Sequence, residues 1–66
     1  MNVRVNGESR ELDDGTNVAE VVGALTDADR GVAVAVDGEV VPRSAWGATA
    51  LADGQDVEVL RAVQGG

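Results

Sequence analysis

Apolar and polar residues alternate from the start of the chain. Met1, Val3 and Val5 fall on one side of an extended backbone, and Asn2, Arg4 and Asn6 on the other. That period of two predicts a strand with one apolar face. Asn6-Gly7 follows, a type I′ hairpin signal, because both central positions of such a turn need positive φ. It predicts a return strand over residues 8–12, which Asp13-Asp14-Gly15 then breaks. The period next changes to that of a helix. Asn17 is a good N-cap, Glu20 three residues on supplies a variant of the capping box, and Val18, Val21, Val22 and Leu25 make one apolar stripe. Gly23 costs about 1 kcal/mol relative to alanine in a helix, so either the helix approaches the sheet closely there or it is short. Thr26-Asp27-Ala28-Asp29-Arg30-Gly31 reads as a polar loop.

The second half repeats the strand pattern. Val32-Ala33-Val34-Ala35-Val36 is the most strand-like run, and its small alanines predict one face packed closely against a neighbour. Asp37-Gly38 is a second hairpin signal, leading to Glu39-Val40-Val41, which Pro42 ends because it lacks a ladder donor. Arg43-Ser44-Ala45-Trp46 is expected to form one helical turn, with Trp46, the sole aromatic residue, as a packing anchor. Leu51 is expected to plug the core before Asp53-Gly54 turns the chain into a final strand over residues 56–61. There Val57 and Val59 face inward, and Glu58, Leu60 and Ala62 outward. Gly7, Gly15, Gly23 and Gly31 are evenly spaced, but their neighbours differ, and they read as turn punctuation. The order strand, strand, helix, strand, strand, turn, strand is that of a two-layer α+β domain. With the first and last strands parallel at the centre, it becomes a β-grasp: a mixed sheet of four to five strands with one main helix on one face.

Composition sharpens this picture. Thirteen valines, ten alanines and four leucines must supply the burial in 66 residues, with neither cysteine nor histidine to add a disulfide or a soft metal site. Valine favours pleated sheet. A formal charge of −7 opposes nucleic-acid binding, which depends on neutralising phosphates. It suits docking on basic protein surfaces instead. No run is apolar enough to span a membrane, and the start lacks the form of a secretory signal, so a cytoplasmic location is expected. Lysine is absent, so the domain cannot build isopeptide chains on its own side chains. The acidic pairs Asp13/Asp14 and Asp27/Asp29 lack EF-hand spacing and read as solvated; no metal or cofactor is expected on the chain.

Self-sufficient catalysis is not expected either. Without histidine, cysteine, lysine or tyrosine, most nucleophiles and neutral-pH bases are missing. Ser9, Ser44, Thr16, Thr26 and Thr49 pair with no base at a recognisable spacing, and no phosphate-binding glycine loop occurs. What remains is the end of the chain. Residues 1–61 make the domain, and Ala62-Val63-Gln64-Gly65-Gly66 is expected to be a flexible, narrow arm carrying a carboxylate. Extended, five residues reach on the order of 16 Å. An ionised carboxylate is a poor electrophile. A partner must convert it to an acyl-adenylate with ATP, after which a sulfur nucleophile can displace AMP; a terminal glycine leaves the approach unobstructed.

The sequence resembles the ThiS family, small sulfur carriers of thiamine biosynthesis with the ubiquitin-like β-grasp fold. The resemblance rests on Asn6-Gly7, Gly15, Asn17-Val18-Ala19-Glu20-Val21-Val22, Val34-Ala35-Val36-Asp37, Val40-Val41-Pro42-Arg43 with Trp46, Asp53-Gly54 with Asp56-Val57, and Ala62-Val63-Gln64-Gly65-Gly66. Two positions depart from the family pattern: Asn17 stands where threonine is usual, and Glu58 where a larger apolar residue is common. The resemblance implies that Gly66 is adenylated by a ThiF-like enzyme using ATP and magnesium. It then becomes a thiocarboxylate, with sulfur from a donor such as a cysteine desulfurase system, and serves thiazole synthase, ThiG. Gly65, Gln64 and Val63 would be the recognised tail, and Leu60, Ala62 and Glu58 the docking face. Two other readings stand beside it: a carrier for molybdopterin or cysteine synthesis, and a non-covalent β-grasp binding module.

Overall fold

A computed structural model describes residues 1–27 and 30–61. Two hairpins and one helix build it, in the predicted order. Strand β1 (Asn2–Val5) turns through Asn6-Gly7 into β2 (Glu8–Glu11), and both turn residues have positive φ, 51° and 83°. Helix α1 (Val18–Leu25) follows, then β3 (Val32–Val36), a second positive-φ turn at Asp37-Gly38, and β4 (Glu39–Val41). After Pro42 a 3-10 helix spans Arg43–Ala48, longer than the single turn expected. Strand β5 (Asp56–Arg61) closes the described chain.

The five strands lie in the order β2-β1-β5-β3-β4. The first and last strands meet in parallel at the centre, through Arg4↔Asp56 and Val5↔Val57, and every other neighbouring pair is antiparallel. This is the expected β-grasp. Its edges are guarded. All four residues of β2 are exposed and three are charged, while β4 is three residues long and runs into proline. Both devices oppose pairing with another sheet.

One face of the sheet holds the core. Val3, Val5, Val34, Val36, Val57 and Val59 form one buried cluster with Val18, Val21 and Val22 of α1, which Trp46 and Leu51 join. Both were expected to pack there. Trp46 also satisfies its one polar atom: Nε1 donates to the Val41 carbonyl at 2.9 Å. The Arg43 guanidinium lies 5.9 Å from the ring centroid, within range of a cation–π attraction.

Capping fixes where α1 begins. Asn17 Oδ1 accepts from the Glu20 amide at 2.9 Å, and the Glu20 carboxylate accepts from the Asn17 amide at 3.1 Å. The same segment is tied across the chain by Val18 N–H to Thr49 carbonyl (3.0 Å) and Leu51 N–H to Thr16 carbonyl (2.9 Å). The loop before β5 is thereby anchored to the start of the helix.

Of the two readings of Gly23 the short helix holds, and the expectation for β3 is corrected. Gly23 makes no close approach: it is exposed, and a Cβ there would meet nothing within 4 Å. The helix is short instead, eight residues. The alanine face of β3 does not pack closely either. Valine and alanine alternate, and it is the valine side that faces α1, so Ala33 is exposed and Ala35 only half-buried on the opposite face.

Candidate functional site: the outer face and exit of the last strand

Strand β5 is the middle of the sheet and leads directly to residues 62–66. Its alternation divides its side chains as predicted, with Val57 and Val59 buried and Glu58 and Leu60 exposed. Leu60 is 64% exposed. Its neighbours on the outer face come from the register with β3, where Ala33 lies opposite Leu60 and Ala35 opposite Glu58. Ala35 in turn lies opposite Val40 of β4, which is 72% exposed.

Leu60, Ala33, Ala35 and Val40 therefore form an apolar strip across three strands. The two alanines make a low floor between two larger side chains. On the other side of β5 the same face turns polar: Arg4 pairs with Asp56 at 3.2 Å, both well exposed, and Ser9 and Glu11 lie beyond. Exposed pairs of this kind contribute little to stability.

Of the expected docking residues, Leu60 and Glu58 are brought together on this face. Ala62, Val63, Gln64, Gly65 and Gly66 lie outside the described residues, as do Ala28 and Asp29 of the polar loop. Sequence reasoning missed Val40, Ala33 and Ala35. A signal for Val40 was available: two residues past the hairpin turn, it sits out of phase with the inward Val36 across the pair Val36↔Glu39. Among the described residues no cluster of acidic side chains could hold a metal ion, and no helix is long and apolar enough to cross a membrane.

The ThiS family model matches residues 3–66. The chain belongs to the ThiS family. Its members are small sulfur carrier proteins rather than enzymes. The crystal structure of the thiamine biosynthesis protein ThiS from Geobacter metallireducens is 40% identical, with a TM-score of 0.79 over the whole of both chains. The NMR solution structure of a thiamine biosynthesis protein from the same organism, also 40% identical, gives 0.80 over this whole chain and 88% of that one. No curated protein matches the sequence significantly.

Proposed function

We propose that this chain carries sulfur for thiazole formation in thiamine biosynthesis. The Gly66 carboxylate attacks the α-phosphorus of ATP on a ThiF-like enzyme, with magnesium, and pyrophosphate leaves. A persulfide sulfur, supplied by a donor such as a cysteine desulfurase system, then attacks the acyl carbon and the C–O bond to AMP breaks; a thiol cleaves the resulting acyl disulfide, leaving the thiocarboxylate and a disulfide between the thiol and the donor. Thiazole synthase, ThiG, takes the sulfur. Gly65, Gln64 and Val63 are the segment threaded into the partner's channel, where side chains must be small or absent near the reacting carbon.

The observation that carries this reading is the extent of the family match, which runs through Gln64-Gly65-Gly66 as well as the domain. The fold supports it by offering a partner something to grip. Leu60 and Val40, with Ala33 and Ala35 between them, form the apolar part of the docking face, and Glu58 an acidic part. Ala62, outside the described residues, belongs to the same docking face in this reading. A net charge of −7 favours a partner with a basic rim.

The test is the intact mass of the protein after incubation with the ThiF-like enzyme, ATP, magnesium and a sulfur source. Exchange of one oxygen for sulfur at the terminus is expected, and deletion of Gly66 should abolish it. A Gly66-deleted chain that still supported thiazole formation would refute the covalent role and favour a non-covalent module.

A further inference from the structure

Both hairpin turns place a side chain against the backbone of β5, at opposite ends of the strand. At the start, Asp37 Oδ1 accepts from the Asp56 amide at 2.9 Å, and the Asp37 amide donates to the Asp56 carbonyl at 2.8 Å. Toward the end, Asn6 does more. Its amide donates to the Val57 carbonyl at 2.8 Å. Its side chain then takes both backbone groups of Val59: the Val59 amide donates to Asn6 Oδ1 at 2.8 Å, and Asn6 Nδ2 donates to the Val59 carbonyl at 3.3 Å.

That contact stands where strand pairing runs out. The parallel pairing of β1 with β5 reaches only Val5↔Val57, and β1 then turns away through Asn6-Gly7. Val59 would otherwise face an open edge on that side. A carboxamide has the same donor and acceptor as a peptide group, so the Asn6 side chain replaces the next residue of β1 and lengthens the ladder by one step. Leu60 and Arg61 follow immediately, and then the tail.

We propose that Asn6 is the positioning residue of the carrier: it holds the end of the β5 ladder so that Leu60 is presented to a partner in one orientation. This rests on the carrier reading for its functional consequence, though not for its structural one. A partner that must seat Leu60 gains affinity when the end of β5 is held beforehand, because less ordering remains to be done on binding. Asparagine is suited to both tasks at this position. It tolerates the positive φ of the turn, and unlike aspartate, which shares the turn preference, it can donate as well as accept.

The test compares Asn6→Gly with Asp37→Gly. Glycine keeps each turn, since positive φ suits it, and each change removes side-chain contacts to the backbone of β5. Two readouts are taken: amide hydrogen exchange along β5, and pyrophosphate release by the ThiF-like enzyme at varied carrier concentration. Asn6→Gly should speed exchange at Val59 and raise KM by roughly three- to tenfold with little change in kcat, the size expected for freeing a few ordered groups. Asp37→Gly should perturb Asp56 and leave KM near its starting value. Asn6→Asp, which keeps the acceptor and loses the donor, should fall between.

Equal KM values for the unaltered chain and Asn6→Gly, or an equal rise in both glycine variants, would overturn the proposal. So would unchanged exchange at Val59. If the unaltered chain released no pyrophosphate at all, the carrier reading would fail, while the exchange experiment would still decide whether Asn6 holds the end of the strand.

Discussion

Both faces of the sheet carry aliphatic side chains, more on the inner face, and they do different things with them. Toward α1, six valines from β1, β3 and β5 are buried with the helix stripe above them. Away from α1, Leu60 and Val40 stand largely exposed, with two alanines between them. An apolar side chain does not by itself mark a position as core. What does is whether the chain supplies its own cover, and among the described residues it has one α-helix to do so. The inner face is spent on folding; the outer strip is left for something else to cover.

The sharpest way to break this contrast is to place one charge on each face. Val57 is 1% exposed at the middle of the central strand. Asp at that position would bury a carboxylate with no partner, which is among the few mechanisms that cost more than about 4 kcal/mol. A domain of this size has little stability in reserve. Val57→Asp should therefore leave the chain unfolded by circular dichroism at 25 °C; a cooperative urea transition near that of the unaltered protein would mean that β5 is not the centre of the core.

Smaller effects come from the helix that provides the cover. Asn17→Ala removes the capping oxygen that Glu20 uses and the 3.3 Å contact from Asn17 Nδ2 to the Gly47 carbonyl. A loss of about 1 kcal/mol is expected from the cap, read as a lower urea midpoint with an unchanged slope. Gly23→Ala should move the midpoint the other way by about 0.5–1 kcal/mol, since the site is exposed, open and helical. If Gly23→Ala were destabilising, the helix would be packed against something at that position after all.

These helix positions also show what was legible in the sequence. Asn17 and Glu20 could be read because a capping box is local chemistry at fixed spacing, and the two hairpins because Asn-Gly and Asp-Gly meet a local need for positive φ. The inward set of β5 followed from a period of two. Other features depended on contacts between distant segments. That the alanine side of β3 faces out was not readable, because alternation separates two faces without saying which one the helix covers. Val40 was missed although the two-residue turn sets its phase: valine is at home in a core, but the pair Val36↔Glu39 puts Val40 opposite Ala35 on the outer face. The Asn6 contact with Val59 joins residues 53 apart, and no local pattern announces it. The expectation for the tail falls on residues 62–66, which lie outside the described structure.

The least expected change in stability belongs to the outer strip, and there the contrast between the faces becomes a functional test. Leu60→Glu and Val40→Glu replace exposed side chains whose burial contributes little to folding, so each should shift the urea midpoint by less than about 0.5 kcal/mol. Affinity for the ThiF-like enzyme should respond differently. A carboxylate brought against an apolar surface is desolvated without a partner, and truncation or reversal of a central contact commonly costs about 2 kcal/mol or more in binding. Leu60, nearest the tail, should show the larger loss by titration calorimetry, and Val40, at the far edge of β4, the smaller. Loss at Leu60 with none at Val40 would confine the docking surface to β5. Loss at neither would mean that partners grip the tail alone, and that the uncovered face is simply what remains when a chain has one helix and five strands to pack.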